Sequence, residues 1–489
     1  MKARWACVVV GVLFCALSAV AAPAQAATTG ITLSVTAGPP TQVLTVTGAG
    51  FAAAEAVDVY LGTTDLALTV AGADGTLNLP GFTIPPSTQP GQAWVTAVGR
   101  RSGVAAQAPF LVRTDWPQLG FGPAHKGTNP YENTLTNATV PGIGKRWTSP
   151  TGGGADGAVE AGGVVYVGGP TGNLYALDAT SGARLWSFPT GDWVDAAPAV
   201  AGGVVYVGSG DDNVYALDAA TGVKRWSFTT GDSVETAPTV VNGTVYIGSD
   251  DGSVYALDAT TGARRWAYAT GGFVSTAVAV VDGTVYATSV NFSGQGSLLT
   301  AVDATTGAKR WSFPVAAMTY YAPAVVNGRV YVNSGSGLYA FSAAGAGQLW
   351  SFQGQSFNSS PAVANGVVYA GSVGGDVYAF DAVSGAQLWH VSIARPNQMY
   401  SPSVVNGVVY LGGRFTPVFA LDAATGTTLW SYDNGFGFNM MTLVANGVLI
   451  TGSSDGNIYA FDLTGGLNAN ATPRVDPKTL HPNLALKAR

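Results

Sequence analysis

From about residue 158 the chain repeats one arrangement of apolar and polar positions. In the stretch VETAPTVVNGTVYIGSDDGSVYALDATTGARRWAYATG, four short apolar runs (TAPTVV, TVYIGS, SVYALDA and ARRWAY) are separated by turn residues. Runs of this length, bounded by Gly, Asn and Asp, predict four strands, A to D, of one antiparallel sheet. Asn242-Gly243 suits a type I′ hairpin between A and B, because both central residues of that turn need positive φ. Asp250, Asp251 and Gly252 turn B into C, and Thr260, Thr261 and Gly262 turn C into D. The A–B turn, always with Gly second, recurs at Gly162-Gly163, Gly202-Gly203, Asp282-Gly283, Asn327-Gly328, Asn365-Gly366, Asn406-Gly407 and Asn446-Gly447. Tryptophans keep step at Trp147, Trp186, Trp226, Trp266, Trp311, Trp350, Trp389 and Trp430, with spacings of 39, 40, 40, 45, 39, 39 and 41. A four-strand unit with a period near 40 predicts the blade of a β-propeller.

The ends of the array predict closure. The first tryptophan strand, GKRWTS, precedes any A, B or C strand, and the last A–B–C set, ending at Asp462, has no tryptophan strand after it. The first can complete the last, giving eight blades over residues 144–463 and no free edge on the terminal blade.

Before the array, residues 28–112 alternate apolar and polar positions in runs near Ile31, Val43, Val57, Leu66, Leu77, Trp94 and Phe110, separated by Gly, Pro and Asp. That spacing predicts an antiparallel sandwich. A lead-in at 113–143 joins it to the array; it contains DWPQLGFGPAHKGTNPYENTL and is expected to tie itself across the blades. The tail, 464–489, is read as an extended strap.

Only 10% of residues are charged and 66 are Gly, a composition that favours turns between short strands over exposed helices. At the N-terminus, Lys2 and Arg4, an apolar run from Ala6 to Ala19 and the small residues ending Ala24-Gln25-Ala26 have the order of a secretory leader, 1–26, cleaved near Ala26. Its loss leaves 20 basic and 28 acidic residues, a net charge of −8, which disfavours nucleic acid as a partner. No other run is long enough to span a membrane, so the expected product is a secreted monomer, not an integral membrane protein. Cys7 and Cys15 both lie in the leader. The mature chain therefore has no disulfide, thiolate metal site or cysteine nucleophile. The three histidines, His125, His390 and His481, are too far apart in sequence to suggest a metal pair.

The unit ALDATTGARRW resembles the tryptophan-docking repeat of the PQQ (pyrroloquinoline quinone) β-propeller family, and VTGAGFAAAEAVDVYL resembles bacterial immunoglobulin-like repeats of the IPT/TIG type. Asp178, Asp218, Asp258, Asp303, Asp381 and Asp422 each precede a Trp by eight residues, and Asp462 closes the series. These Trp, Asp and Gly residues are read as architecture: Trp packs between blades, Asp bonds the following turn, and Gly supplies positive φ. Ser342 and Ala346 replace Asp and Gly in one blade, where a looser C–D turn is expected.

Function should sit where the repeat breaks. The D–A and B–C loops share one face, and the D–A loops drift from SFPTGDWVDAAP to SYDNGFGFNMMT; blade 4 also carries the insert Ser289–Ser297. Residues three before the strand A proline are expected to ring the axial mouth: Ala155, Asp195, Glu235, Ser275, Tyr320, Asn358, Met399 and Asn439. With Trp193 and Phe436 they form the candidate site for a protein, peptide or polysaccharide. No catalytic residue, metal ligand or cofactor is assigned. The family resemblance implies two other readings. One is a quinoprotein dehydrogenase with PQQ and calcium, whose adjacent-cysteine disulfide this chain cannot form and for which Trp193 is the free tryptophan. The other is a BamB-like envelope scaffold, whose relatives carry a lipoprotein leader that this one lacks.

Overall fold

The computed structural model describes residues 29–151, 157–291, 296–357, 359–393, 398–463 and 476–480. The predicted leader, most of the tail, Ala155, Asn358, Arg395 and the tip of the Ser289–Ser297 insert lie outside the described residues. No helix among the described residues is long and apolar enough to cross a membrane.

The repeat region forms eight antiparallel sheets, each ordered A-B-C-D. Blade 2 is representative, with Ala199–Ala201, Val204–Gly208, Asn213–Asp218 and Lys224–Thr229. Strand B is buried on both faces, so it reads as the unbroken run VVYVG; strand D alternates because its outer face meets solvent. The A–B turns take the predicted form, with φ of 47° at Asn242 and 71° at Gly243. Blade 8 joins Leu443–Ala445, Val448–Gly452 and Asn457–Leu463 to Ile143–Pro150, with Trp147 opposite Ala460. The inner strands touch their neighbours all round, Leu443–Ala445 meeting Ala158–Ala161, so the ring is closed.

Seven of the eight docking tryptophans, Trp147 to Trp389, each grip the following blade at one carbonyl. Trp226 Nε1 donates to Ala259 O at 3.0 Å, and the Tyr206 hydroxyl donates to the same oxygen at 3.0 Å. Trp186, Trp266, Trp311, Trp350 and Trp389 repeat this with Tyr166, Tyr246, Tyr286, Tyr331 and Tyr369. The glycine of the next C–D turn lies under the indole: a Cβ on Gly262 would sit 2.7 Å from the Trp226 ring. Positive φ is thus half of the reason for Gly; the other half is the tryptophan pressed against it.

The turn aspartates behave as Asx-turn residues. Asp258 Oδ1 accepts from Thr260 N, Thr261 N and Thr261 Oγ1, while Oδ2 accepts from Arg265. The closing blade rebuilds the ion pair from opposite ends of the propeller sequence, Arg146 Nη1 donating to Asp462 at 2.8 Å. The blade with Ser342 departs from expectation. Its turn is tighter, not looser: Gly345 N bonds Ser342 O, a three-residue closure where the other blades use four. Gly345 takes the place against Trp311, and Gly347, at φ 102°, absorbs the displaced residue.

The lead-in runs around the axis and bonds the innermost strand of all eight blades. Trp116 exchanges backbone hydrogen bonds with Glu160. Val200 N donates to Pro117 O, Val280 N to Pro123 O, Val325 N to Ala124 O, Val363 N to Lys126 O and Val404 N to Gly127 O. Gln118 Oε1 accepts from Val240 N, and Asn129 Nδ2 donates to Val444 O. Inner-strand N–H groups that the sheets leave unpaired are thereby satisfied. His125 is buried in this plug; its Nε2 faces Thr239 Oγ1 at 3.1 Å, and desolvation pushes its imidazole down to about 4.

Residues 30–112 form a three-stranded and a five-stranded sheet around one core that includes Val46, Val57, Phe82, Val95 and Phe110. This sandwich reaches the propeller through Gln89 and the lead-in residues Asn133 and Thr134.

Candidate functional site

Strand A of each blade starts from the loop face, where the residue before its proline, or before the residue that replaces it, lines the axis. Ala197, Ala237, Ala277 and Ala322, with Ala196 and the lead-in's Leu119, make an apolar collar. Above it opens a cavity of about 320 Å³, closed below by Leu119 and walled by Asp195, Glu235, Ser275, Tyr320, Tyr321, Gln398, Tyr400 and Met441 among others. The plug makes this a blind funnel instead of a channel.

Four of the candidates chosen from sequence line the funnel: Asp195, Glu235, Ser275 and Tyr320. Trp193 stands near its edge, with its indole packed over Gly210. Ser275 Oγ donates to Asp250 Oδ1 at 2.6 Å. Asp195 has no hydrogen-bond or ion-pair partner among the described residues. Desolvation raises the Asp195 carboxyl, with Asp192 adding to it; desolvation raises Glu235, reinforced by Asp250 and Asp195. These acids sense one another across neighbouring blades.

Other candidates fall elsewhere. Asn439 is half-buried outside the cavity, and Phe436 is exposed on the same face away from the axis. Asn358 and Ala155 lie outside the described residues. Met399 is a correction: it is fully buried in the blade and does not face the mouth. Val194, Val234 and Val274 anchor their loops four residues before the proline or its counterpart, each donating N–H to the preceding blade. In blade 7 Met399 makes that bond only three residues before Pro402, so one residue fewer lies between anchor and proline, and Gln398 and Tyr400 face the cavity instead. Sequence reasoning missed Tyr321, Gln398 and Tyr400. Counting back from the proline finds the wall only while loop length stays constant.

Not every acid here is available to a ligand. Asp251 Oδ2 accepts from Gly231 N at 2.8 Å and from the Tyr255 hydroxyl at 2.5 Å, and Asp211 does the same for Gly191 and Tyr215. The repeated Thr-Gly-Asp segment is therefore held by architecture. Among the described residues, no three His, Cys, Asp or Glu side chains are grouped as a metal site requires.

All exposed aromatic rings among the described residues lie on this face: Trp193, Phe273, Tyr320, Phe415 and Phe436. The blade 4 insert lengthens its B–C hairpin to Thr284–Asn291 and Ser297–Asp303, and Gly272–Phe273 pairs along that extension.

Fold and inter-blade chemistry together define a PQQ-like β-propeller. The chain belongs to the family described as outer membrane protein assembly factor BamB, whose model matches residues 133–290, 225–311 and 250–472. Among solved structures, quinohemoprotein alcohol dehydrogenase from Comamonas testosteroni is similar at a TM-score of 0.64 and 17% identity, over 72% of this chain and 81% of that one. BamB from Moraxella catarrhalis matches at 0.57 and 20%, over 66% and 98%. The computationally designed Ika8 protein matches at 0.57 and 17%, over 65% and 100%. An enzyme, a protein called an assembly factor and a design share this architecture, so the likeness carries fold and not activity. No curated protein matches the sequence.

Proposed function

We propose that this chain is a secreted, non-catalytic binding propeller that takes a protein, peptide or carbohydrate partner on its D–A/B–C face. The observation that carries this is the blind funnel, whose wall changes from blade to blade while the opposite face repeats. Apolar collar, few polar groups and a rim of exposed rings are the usual makings of a ligand site. Membership of the BamB-described family favours a scaffold over an enzyme. The residues present do not fit PQQ. It is a tricarboxylate, whereas the described residues of the funnel present Asp195 and Glu235 and no Lys or Arg. Calcium would have to be found among side chains that are not grouped to hold it.

The test is site-specific photo-crosslinking of the full secreted protein in culture medium and on its own cells. Probes at Tyr320 and Phe436 should capture a discrete adduct, and probes at Val223 and Val383, exposed outside this face, should not. Adducts only from the second pair would overturn the reading, as would dye-linked alcohol oxidation after addition of PQQ and calcium.

A further inference from the structure

We propose that the funnel recognises a cationic side chain, lysine or arginine, carried on a polypeptide partner; this rests on the binding reading above and names the chemistry of its occupant. Three observations converge. The first is shape: a cavity of about 320 Å³, closed at its floor by Leu119, admits one long side chain with its apolar stem against the alanine collar. Lys and Arg bury such stems readily.

The second is charge. Asp195 and Glu235 stand on the wall, and Asp250 lies behind Ser275. Asp195 is exposed on the cavity wall and unpaired among the described residues, so its charge is open to a counter-charge that enters there. Among the described residues, no basic side chain lines the cavity. Arg414, a basic residue on this face, lies beside the Phe415 ring, 5.1 Å from its centroid, and not on the wall. The third is the rim. Trp193, Phe273 and Tyr320 are exposed. Aromatic faces beside carboxylates favour cations through the ring quadrupole. A carbohydrate would use the rings but gain nothing from the unpaired acid, and an anionic partner would be repelled by it.

The experiment uses the full secreted protein with tetralysine, tetra-acetyllysine and tetraglutamate peptides as probes. Titration is followed by calorimetry and by tryptophan fluorescence, with Trp193→Phe identifying the reporting residue. Tetralysine should bind, and the other two should not. Asp195→Asn with Glu235→Gln, which keeps shape and hydrogen bonding, should weaken it by about tenfold or more, equal to about 1.4 kcal/mol. Raising salt should weaken it further. An unchanged melting temperature certifies the fold of the variant. The inference is overturned if tetralysine fails to bind, if tetra-acetyllysine binds as well, or if the double variant binds equally. Should the crosslinked partner still occupy the loop face of the double variant with full affinity, the cation reading falls while the binding-propeller reading stands.

Discussion

Replacing Trp266 by Ala tests the inter-blade lock at one of its most buried repeats. The indole is 9% exposed, donates Nε1–H to Ala304 O at 3.0 Å and lies against Gly307, where a Cβ would come within 2.8 Å of the ring. A buried tryptophan removes about 150–250 Å² from water, or roughly 4–6 kcal/mol at about 25 cal/mol/Å². The alanine retains part of that, and a compact unfolded chain lowers it further, leaving about 3–5 kcal/mol. The lost hydrogen bond adds little, because the Tyr246 hydroxyl still donates to Ala304 O. The assay is urea unfolding of the full chain by far-ultraviolet circular dichroism, compared at constant m-value. Gly307→Ala supplies the cross-check. In the parent it suffers both positive φ (73°) and the clash with the indole. In the Trp266→Ala background only the φ strain of about 1–2 kcal/mol should remain. A cost below about 1 kcal/mol for Trp266→Ala, or additive behaviour of the pair, would refute docking as the source of inter-blade stability.

Further outcomes follow from burial and charge. Arg146→Met should cost about 2 kcal/mol more than Arg225→Met, because Arg146–Asp462 is mostly buried and Arg225–Asp218 is largely solvated; equal costs by urea titration would show that the closing strand is not specially held. His125, ordinarily near 6.5, is about 4 in the fold, so its contribution is complete above 6.5 and lost as pH falls toward 4. Between pH 7 and pH 5 that loss is roughly 2 kcal/mol, and His125→Asn, which tolerates the local φ of 50°, should abolish it. Glu160 acts in the opposite sense: burial first, then Asp115, raises it from 4.5 to about 8, so its contribution is complete below 4.5 and lost as pH rises toward 8. Glu160→Gln should therefore flatten the alkaline side of the stability profile, and a variant that leaves that side unchanged would contradict the assignment.

The architecture was legible because a propeller states it repeatedly. Seven Trp-to-Trp spacings, an orphan strand at one end and a missing strand at the other were enough to place Trp147 beside the last strand C. The tyrosines that share the tryptophans' acceptor were not seen. Tyr206 sits inside VVYVG, where it reads as one more core residue, and its hydroxyl partner, Ala259 O, is 53 residues away in the next blade. The lead-in's part was foreseen only as a tie. That its backbone and side chains together would reach the inner strand of every blade depends on the axial geometry, which no local pattern contains.

The same repetition explains why the site was half legible. A residue that recurs in every blade is needed by every blade, so Asp258 or Gly262 says nothing about a ligand. Only departures from the repeat can, and departures have no period to locate them. Where blades 2 and 3 keep nearly the same loop, Asp195 and Glu235 land on the wall as counted; where blade 7 anchors its loop one residue nearer the proline, Met399 turns into the core and Tyr400 takes the wall. The asymmetry has a chemical consequence. Carboxylates come from the loops entering blades 2 and 3, and Tyr320, Tyr321 and Tyr400 come from those entering blades 5 and 7, so the funnel has an acidic side and an aromatic side. A near-symmetric ring thus presents one preferred orientation to a cationic side chain, with its charge toward Asp195 and its stem toward the tyrosines.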